Sequence, residues 1–158
     1  MASWNPTQLS CYLSFAQRIE RRTKVAEKRQ QTEIPLICIV DDDESLVEAT
    51  VSLAESVGYI AEGFCSAEGF LKSPQLSRTD CLILDVRMPS MDGFELQRRL
   101  AAENHRIPII FVTSYESDNT KTQAMEAGAV AFLNKPFSQD SLLQAVRAAL
   151  AGEREDKS

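Results

Sequence analysis

Short runs of apolar residues recur along most of the chain, and they predict the strands of a sheet. Four runs are continuous, at residues 36–40, 81–84, 109–112 and 130–133, and a more mixed segment lies at 59–65. A continuous apolar run of this length is typical of a strand that is buried on both faces, as strands of parallel sheets are. We therefore expect five strands, most of them covered by helices on both sides.

The segments between these runs have the three- and four-residue spacing of apolar positions that is typical of helices. Ser66, Asp92 and Ser138 are suited to cap helix N-termini, and Gly58 and Gly128 are suited to end helices. The helices are predicted over residues 44–57, over 66–71, after 92, around 117–127 and after 138. The residues expected on inward faces are Leu46, Thr50, Leu53, Ala54 and Val57 in the first helix, Leu96 and Leu100 in the third, and Leu142, Val146, Ala149 and Leu150 in the last.

Predicted strands and helices alternate, so the chain contains five βα units. Right-handed crossovers between such units give a parallel sheet with helices on both faces. The predicted fold is therefore α/β, an open and doubly wound sheet. A change of composition near residue 34 predicts three parts: a basic extension over 1–33, a domain over 34–152, and a polar C-terminal tail over 153–158.

The N-terminal extension has a helical pattern of its own. Asn5 and Pro6 suit a helix start, and apolar residues recur from Leu9 to Ile19 at helical spacing. We expect an amphipathic helix over residues 6–30, whose apolar stripe would pair with a second copy, with a partner or with the domain itself. A frayed, partly disordered extension is the open alternative.

The formal net charge of −6 is unevenly distributed. Residues 1–33 carry six basic and three acidic side chains, whereas residues 34–158 carry 11 basic and 20 acidic ones. A body this acidic repels the phosphates of nucleic acids. We therefore expect no direct binding of nucleic acid by this chain.

Other sequence features bear on location and metal chemistry. No apolar run approaches the length of about 18 residues that a membrane span requires, and the N-terminus lacks the order of a secretory signal. The four cysteines lack the spacing of metal-binding pairs, and His105 is the one histidine, which argues against a zinc site. Cys38 and Cys81 lie in apolar runs and are expected to be buried thiols. A cytoplasmic protein without membrane contact is expected.

Polar side chains fall where the predicted strands end. They are Asp41, Asp42 and Asp43 after the first strand, Asp85 at the end of the third, Thr113 at the end of the fourth, and Lys135 after the fifth. Because ligands of open parallel sheets bind beyond the carboxyl ends of the strands, these side chains are expected at one rim. Carboxylates without histidine or cysteine suit Mg2+ or Mn2+. Taken singly, each has a simpler interpretation as a helix cap, a turn residue or a surface charge, and Asp43 is expected to be only a first-turn charge.

Three segments, 39–44, 84–93 and 132–137, resemble the signatures of two-component response-regulator receiver domains. Their sequences are IVDDDE, LDVRMPSMDG and FLNKPF, and the similarity extends over residues 35–151. The chain most resembles receivers of LuxR/FixJ-type regulators. This resemblance implies a flavodoxin-like (CheY-like) five-stranded parallel sheet of strand order 2-1-3-4-5, here with an N-terminal helical extension.

The resemblance also implies roles in phosphoryl chemistry. Asp85 would be the phosphoacceptor, and Thr113 and Lys135 would bind the phosphoryl group. Phe132 would be the switch residue that turns inward when Thr113 is drawn toward that group. The bond from Lys135 to Pro136 would be cis, as it is in the family.

A metal site is implied in the same way. Mg2+, or Mn2+ in its place, would be bound by Asp42, Asp85 and the backbone carbonyl of Arg87, with Asp41 acting mainly through water. The Arg87 side chain and Tyr115 flank the expected site. They would tune the access of water or simply face solvent.

The implied function is a phosphorylated signalling switch and not a turnover enzyme. Its expected partners are a sensor histidine kinase or a histidine phosphotransfer protein, and a homodimer would use the helix 4–strand 5–helix 5 face or the N-terminal helix. Two alternatives stay open: a receiver-fold scaffold that is not phosphorylated, and the receiver part of a truncated DNA-binding transcriptional regulator. A hydrolase with an aspartyl-phosphate intermediate is disfavoured, because residues 85–87 lack the second aspartate of the expected motif.

Overall fold

The computed structural model describes residues 33–115 and 117–156, and the side chains of that part up to residue 152. The strands are Leu36–Val40 (β1), Ile60–Phe64 (β2), Cys81–Asp85 (β3), Ile109–Thr113 (β4) and Ala131–Asn134 (β5). The helices are Glu44–Ser56 (α1), Ala67–Leu71 (α2), Gly93–Ala102 (α3), Asp118–Glu126 (α4) and Gln139–Asp156 (α5), with a 3-10 turn at Leu76–Arg78. The helix predicted over residues 6–30 lies outside the described residues.

The five strands form one parallel sheet in the order β2-β1-β3-β4-β5. The expected fold class and strand order are therefore confirmed. The chain passes from β1 outward to β2 and then back across β1 to β3, so the order reverses between β1 and β3. A crevice opens beyond the carboxyl ends of strands at such a reversal, and it is here that ligands bind in folds of this kind.

Alternating strand residues divide the core between the two faces of the sheet. One face, with Cys38, Leu82 and Phe111, is covered by α2, α3 and α4. The other face, with Ile39 and Ile110, is covered by α1 and α5. Burial on both faces explains why β1 is apolar throughout and why β3 and β4 are apolar up to their last residues, Asp85 and Thr113, since neither face of a central parallel strand meets water.

The predicted inward face of α1 needs correction at its end. The helix ends at Ser56, and Val57 is 46% exposed instead of facing inward. Val47 is buried, whereas Leu46 is only half-buried. The reason lies in β2, where a Cβ on Gly63 would overlap the side chain of Val47. Because glycine leaves that space open, Val47 packs closely over the strand.

The caps expected within residues 33–156 are present, while some element bounds differ by a residue. Ser66 and Asp92 accept hydrogen bonds from the first turns of α2 and α3, and Ser138 does so for α5. Gly58 and Gly128, which follow α1 and α4, have φ values of 98° and 92°, and glycine adopts this region without steric cost. β2 is shorter than predicted by one residue at each end, β5 begins one residue later, and α5 continues through residue 156 into the predicted polar tail.

Candidate functional site

Strand register brings the first acidic side chains together. Val40 and Leu84 are partners in the parallel ladder of β1 and β3, so Asp41 and Asp85, the next residues, meet at the carboxyl end of the sheet. Both are buried, with 1% and 5% of their surface exposed, and Asp42 beside them is exposed. One carboxylate oxygen from each of the three lies within 4.8 Å of the other two. The three predicted acidic residues therefore form one cluster.

Lys135, the residue after edge strand β5, completes this cluster. Its Nζ lies 2.6 Å from Asp41 Oδ2 and 3.4 Å from Asp85 Oδ2. Its backbone amide donates a hydrogen bond to the carbonyl of Thr113 at 2.7 Å, and the bond to Pro136 is cis. The lysine thus stands between two buried carboxylates, which are 94 and 50 residues away in sequence, and balances part of their charge.

Backbone amides fix the remaining lone pairs of the site side chains. Each acceptor receives a hydrogen bond from the amide two residues further along, a local turn that orients its side chain. The pairs are Asp43 N to Asp41 Oδ1 (2.9 Å), Arg87 N to Asp85 Oδ1 (3.3 Å) and Tyr115 N to Thr113 Oγ1 (3.1 Å). Strand ends therefore determine both where these groups lie and how they point.

The electrostatics of the cluster are unfavourable to a charged Asp85. Burial, together with the charge of Asp41, raises the pKa of Asp85 from 3.8 to about 7, although Lys135 and the Arg87 amide lower it in part. Burial alone would lower the pKa of Lys135, but its bonds to Asp41 and Asp85 and their charges outweigh this, so that the pKa is raised. Three carboxylates against one ammonium group leave the site short of positive charge.

The family model described as response regulator receiver domain matches residues 37–147, a span that includes all of these side chains. The chain belongs to the response regulator receiver family. Members of this family are signalling switches of two-component systems.

Proteins similar to this receiver domain include full-length regulators and an isolated receiver. Response regulator protein TodT of Pseudomonas putida is 46% identical over 115 residues, which are 73% of this chain and 51% of TodT. Transcriptional regulatory protein FixJ of Bradyrhizobium diazoefficiens is 36% identical over 72% of this chain and 56% of FixJ. A solved response regulator receiver protein from Burkholderia phymatum is 40% identical, with a TM-score of 0.66 over 74% of this chain and 95% of that one. The chain spans about half the length of the curated relatives it matches.

The residues of the receiver site fit a divalent cation. In the described part of the chain, this is the one group of three or more potential ligand side chains close enough together to hold a metal ion. All its ligand atoms are carboxylate oxygens, which Mg2+ prefers over nitrogen or sulfur ligands. The deficit of positive charge around Asp41 and Asp85 favours such an ion.

Two further residues lie as expected, with roles that stay predictions. Phe132 is half-buried on β5, in register with Phe111, and packs against the core on the α3–α4 face. Thr113 ends β4 and is 1% exposed. Asp43 caps α1 through a 3.3 Å hydrogen bond from the amide of Leu46, in keeping with the simpler interpretation of that residue.

Two contacts at the site add detail to the predicted arrangement. The guanidinium of Arg87 stacks over the ring of Tyr115, with Cζ 4.2 Å from the ring centroid. At the start of α3, a Cβ on Gly93 would overlap the carbonyl of Asp85, so the helix approaches the end of β3 as closely as backbone allows. Arg87 and Tyr115 each lie two residues beyond a strand-end site residue, a spacing that places both residues near the site but does not by itself indicate that they stack.

The rest of the described chain adds two observations. No helix in residues 33–115 and 117–156 is long and apolar enough to cross a membrane. Cys38 and Cys81 are buried in opposite faces of the sheet, and burial raises the pKa of the Cys38 thiol to about 11. Both thiols lie where the sequence predicted, in the core and away from the acidic cluster.

Proposed function

We propose that this receiver accepts a phosphoryl group on Asp85 in a Mg2+-dependent reaction, and that the modification switches a surface for partner binding or dimerisation. One observation carries the proposal: Asp85 is a buried carboxylate that faces Lys135 at 3.4 Å and shares its pocket with Asp41 and Asp42. Two buried carboxylates that share a single cation are costly for folding alone. Function is the simplest reason for its presence.

The metal site would comprise the carboxylates of Asp42 and Asp85 and the backbone carbonyl of Arg87, with Asp41 acting mainly through water. Mn2+ would be accepted in place of Mg2+, because both prefer oxygen ligands. When bound, the ion neutralises charge on the transferring phosphoryl oxygens. The support is the oxygen-only donor set within 4.8 Å.

The transfer itself is an in-line displacement at phosphorus. A carboxylate oxygen of Asp85 forms a bond to phosphorus while the bond from phosphorus to the donor nitrogen of a phosphohistidine breaks, and the departing imidazole takes up a proton. The ammonium of Lys135 lies beside the acceptor oxygen and offsets the negative charge that gathers there. Later attack of water on phosphorus restores the carboxylate and releases inorganic phosphate.

The switch would follow from the new charge. The acyl phosphate carries close to two negative charges where the carboxylate carried one, and the hydroxyl of Thr113 and the ammonium of Lys135 form charge-assisted hydrogen bonds to it. Phe132 would then turn into the space that Thr113 vacates. A complete reversal of populations from 1:99 to 99:1 requires about 5.5 kcal/mol of differential binding, which two or three such bonds and a metal ion can supply.

The partners follow from this chemistry and from the family. We propose a sensor histidine kinase or a histidine phosphotransfer protein as donor, and the α4–β5–α5 face or the N-terminal extension as the site of homodimerisation. We also propose that the chain works in the cytoplasm, without membrane contact and without direct binding of nucleic acid. FixJ is named a transcriptional regulatory protein; by that likeness, control of transcription through a further domain or a partner is the output to test first.

Intact-protein mass spectrometry tests the proposal. With acetyl phosphate and Mg2+, the parent protein is expected to gain the mass of one phosphoryl group, and Asp85→Asn is expected to gain none. Removal of Mg2+ with a chelator should prevent the gain. Asp140→Asn, in the first turn of α5, is the matched control and should behave as the parent does. Equal labelling of Asp85→Asn would contradict the assignment, and a parent that gains no mass would favour a scaffold without phosphorylation.

A further inference from the structure

The stack of Arg87 on Tyr115 lies beside the acceptor site and is not explained by the chemistry proposed so far. Arg87 follows β3 and Tyr115 follows β4, and the guanidinium carbon lies 4.2 Å from the ring centroid. Both side chains are exposed, with Tyr115 at 61%. Because both side chains are exposed, packing into the core does not account for their contact. An exposed cation–π contact is also a weak interaction, so stability alone does not account for it either.

The stack joins the two loops that carry the site. The amide of Arg87 donates to Asp85 Oδ1 at 3.3 Å, and the amide of Tyr115 donates to Thr113 Oγ1 at 3.1 Å. Each stacked residue is therefore tied through its backbone to a side chain of the site. A change at Asp85 or Thr113 acts directly on the residue that bears the guanidinium or the ring.

The excess of negative charge in the acidic cluster is a second possible binding partner for the Arg87 guanidinium. Three carboxylates and one ammonium group form the cluster. Arg87 nevertheless makes no ion pair with any carboxylate in the part of the chain that the structure describes. The backbone of Arg87 contacts Asp85, while its guanidinium rests on a neutral ring and can be drawn to a stronger ligand.

We propose that Arg87 is a movable ligand of the phosphoryl group: it rests on Tyr115 in the unmodified receiver and transfers to the phosphoryl oxygens once Asp85 is modified. The inference rests on the proposed function, since it requires a phosphoryl group on Asp85. A guanidinium binds phosphate through two parallel hydrogen bonds, and such charge-assisted bonds are about twice as strong as neutral ones. The phosphoryl group would therefore compete successfully with the exposed ring for the guanidinium.

The transfer would also release the loop that leads to α4. With Arg87 gone from its ring, Tyr115 no longer links the β4 loop to the β3 loop. Ala124 is the buried residue of α4, so that helix has few apolar contacts to hold its position when the loop moves. Departure of the guanidinium would thus couple the new charge on Asp85 to α4, which is part of the proposed α4–β5–α5 face.

Binding of beryllofluoride, an analogue of the phosphoryl group, tests the proposal on the full chain with Mg2+ present. Arg87→Ala is expected to weaken binding by about tenfold, because a charge-assisted contact is lost. Tyr115→Leu is expected to strengthen it by about two- to fivefold, because the competing contact of the resting state is removed. Arg99→Ala removes an equal charge from the last turn of α3 and should leave affinity unchanged.

Nuclear magnetic resonance gives a readout that a purely structural role would not move. The Nε proton of Arg87, assigned by its absence in Arg87→Ala, should be shifted upfield by the Tyr115 ring and should move downfield when beryllofluoride binds. In Tyr115→Leu the upfield shift should be absent from the start. A parent protein that binds no beryllofluoride with Mg2+ would overturn the proposed function and this inference with it. A parent that binds, while Arg87→Ala binds equally well or the Arg87 signal stays in place, would overturn the inference alone.

Discussion

At the scale of single residues, the site consists of side chains at the carboxyl ends of neighbouring strands, all at the same edge of the sheet. Asp85 ends a wholly buried strand, and its backbone register with β1 leaves its carboxylate beside that of Asp41. This position was predictable, because an acidic residue directly after a buried apolar run lies at the carboxyl end of a strand. The contact of Arg87 with Tyr115 was not predictable from spacing alone, since side chains two residues beyond a strand can take several directions.

The raised pKa of Asp85 predicts a pH-dependent cost in stability. Without divalent cations, the folded carboxyl titrates at about 7 and the unfolded one near its ordinary 3.8, so the folded state retains a proton that the unfolded state has lost between these values. The free energy of unfolding should therefore fall as pH rises from about 4 to about 7. Asp85→Asn lacks this titration. At pH 8 it should be more stable than the parent by about 2 to 4 kcal/mol, and the difference should shrink toward pH 4.

Urea denaturation in the presence of a chelator at a series of pH values measures this difference. Asp140→Asn again serves as the control, because its carboxylate is exposed on α5. An Asp85→Asn variant whose advantage is the same at pH 4 and pH 8 would contradict the assigned direction.

Lys135 is predicted to contribute to stability as well as to chemistry. Lys135→Ala leaves the buried carboxylate of Asp41 without the ammonium that lies 2.6 Å away. Removal of one partner of a buried ion pair costs about 3 to 5 kcal/mol. Thermal and urea denaturation at pH 7.5 should therefore show a loss of this size, part of which Mg2+ restores. The exposed Lys121→Ala on α4 should lose little, and equal effects at the two lysines would refute the expectation.

At the scale of elements, strands were easier to predict than helix faces. Continuous apolar runs predicted β1, β3 and β4 closely, because burial on both faces favours apolar side chains, and β3 and β4 end at the polar residues expected there, Asp85 and Thr113. The inward face of α1 was misjudged at Val57, since helical spacing alone does not reveal where a neighbouring strand offers space. Gly63 offers that space in β2, where any side chain would overlap Val47. The spacing of apolar residues in α1 carries no information about this contact.

The packing of α1 on β2 leads to a paired prediction. Gly63→Ala should destabilise the fold by about 1 to 3 kcal/mol, because the added methyl group overlaps Val47. The double variant with Val47→Ala should recover part of that loss, which a double-mutant cycle by urea denaturation would measure. Additive losses in the double variant would mean that these two side chains do not share the space.

At the scale of the whole molecule, charge and topology act together. A sheet reversal between β1 and β3 creates the crevice, and an acidic body supplies the carboxylates that line it. Both could be predicted from the sequence. The distances within the cluster could not, because Lys135 and Asp41 are 94 residues apart and only the folded sheet brings them to 2.6 Å.

Metal binding should stabilise the whole receiver. At a Mg2+ concentration 100 times its dissociation constant, the free energy of unfolding should rise by about 2.7 kcal/mol, since the folded state alone has the cluster. Asp42→Asn removes a ligand without disturbing the core, because Asp42 is exposed. It should therefore lose most of this gain in a thermal denaturation series with increasing Mg2+. A parent protein with the same melting temperature at all concentrations would refute the metal site.

The most direct test of the central claim is a crystal structure of the full chain with Mg2+ and beryllofluoride. Beryllium should be bonded to a carboxylate oxygen of Asp85, with the Lys135 ammonium and the Thr113 hydroxyl donating to its fluorines. The cation should bind Asp42, Asp85 and the carbonyl of Arg87. Electron density for the analogue at another residue, or a cation held away from Asp42 and Asp85, would contradict the account.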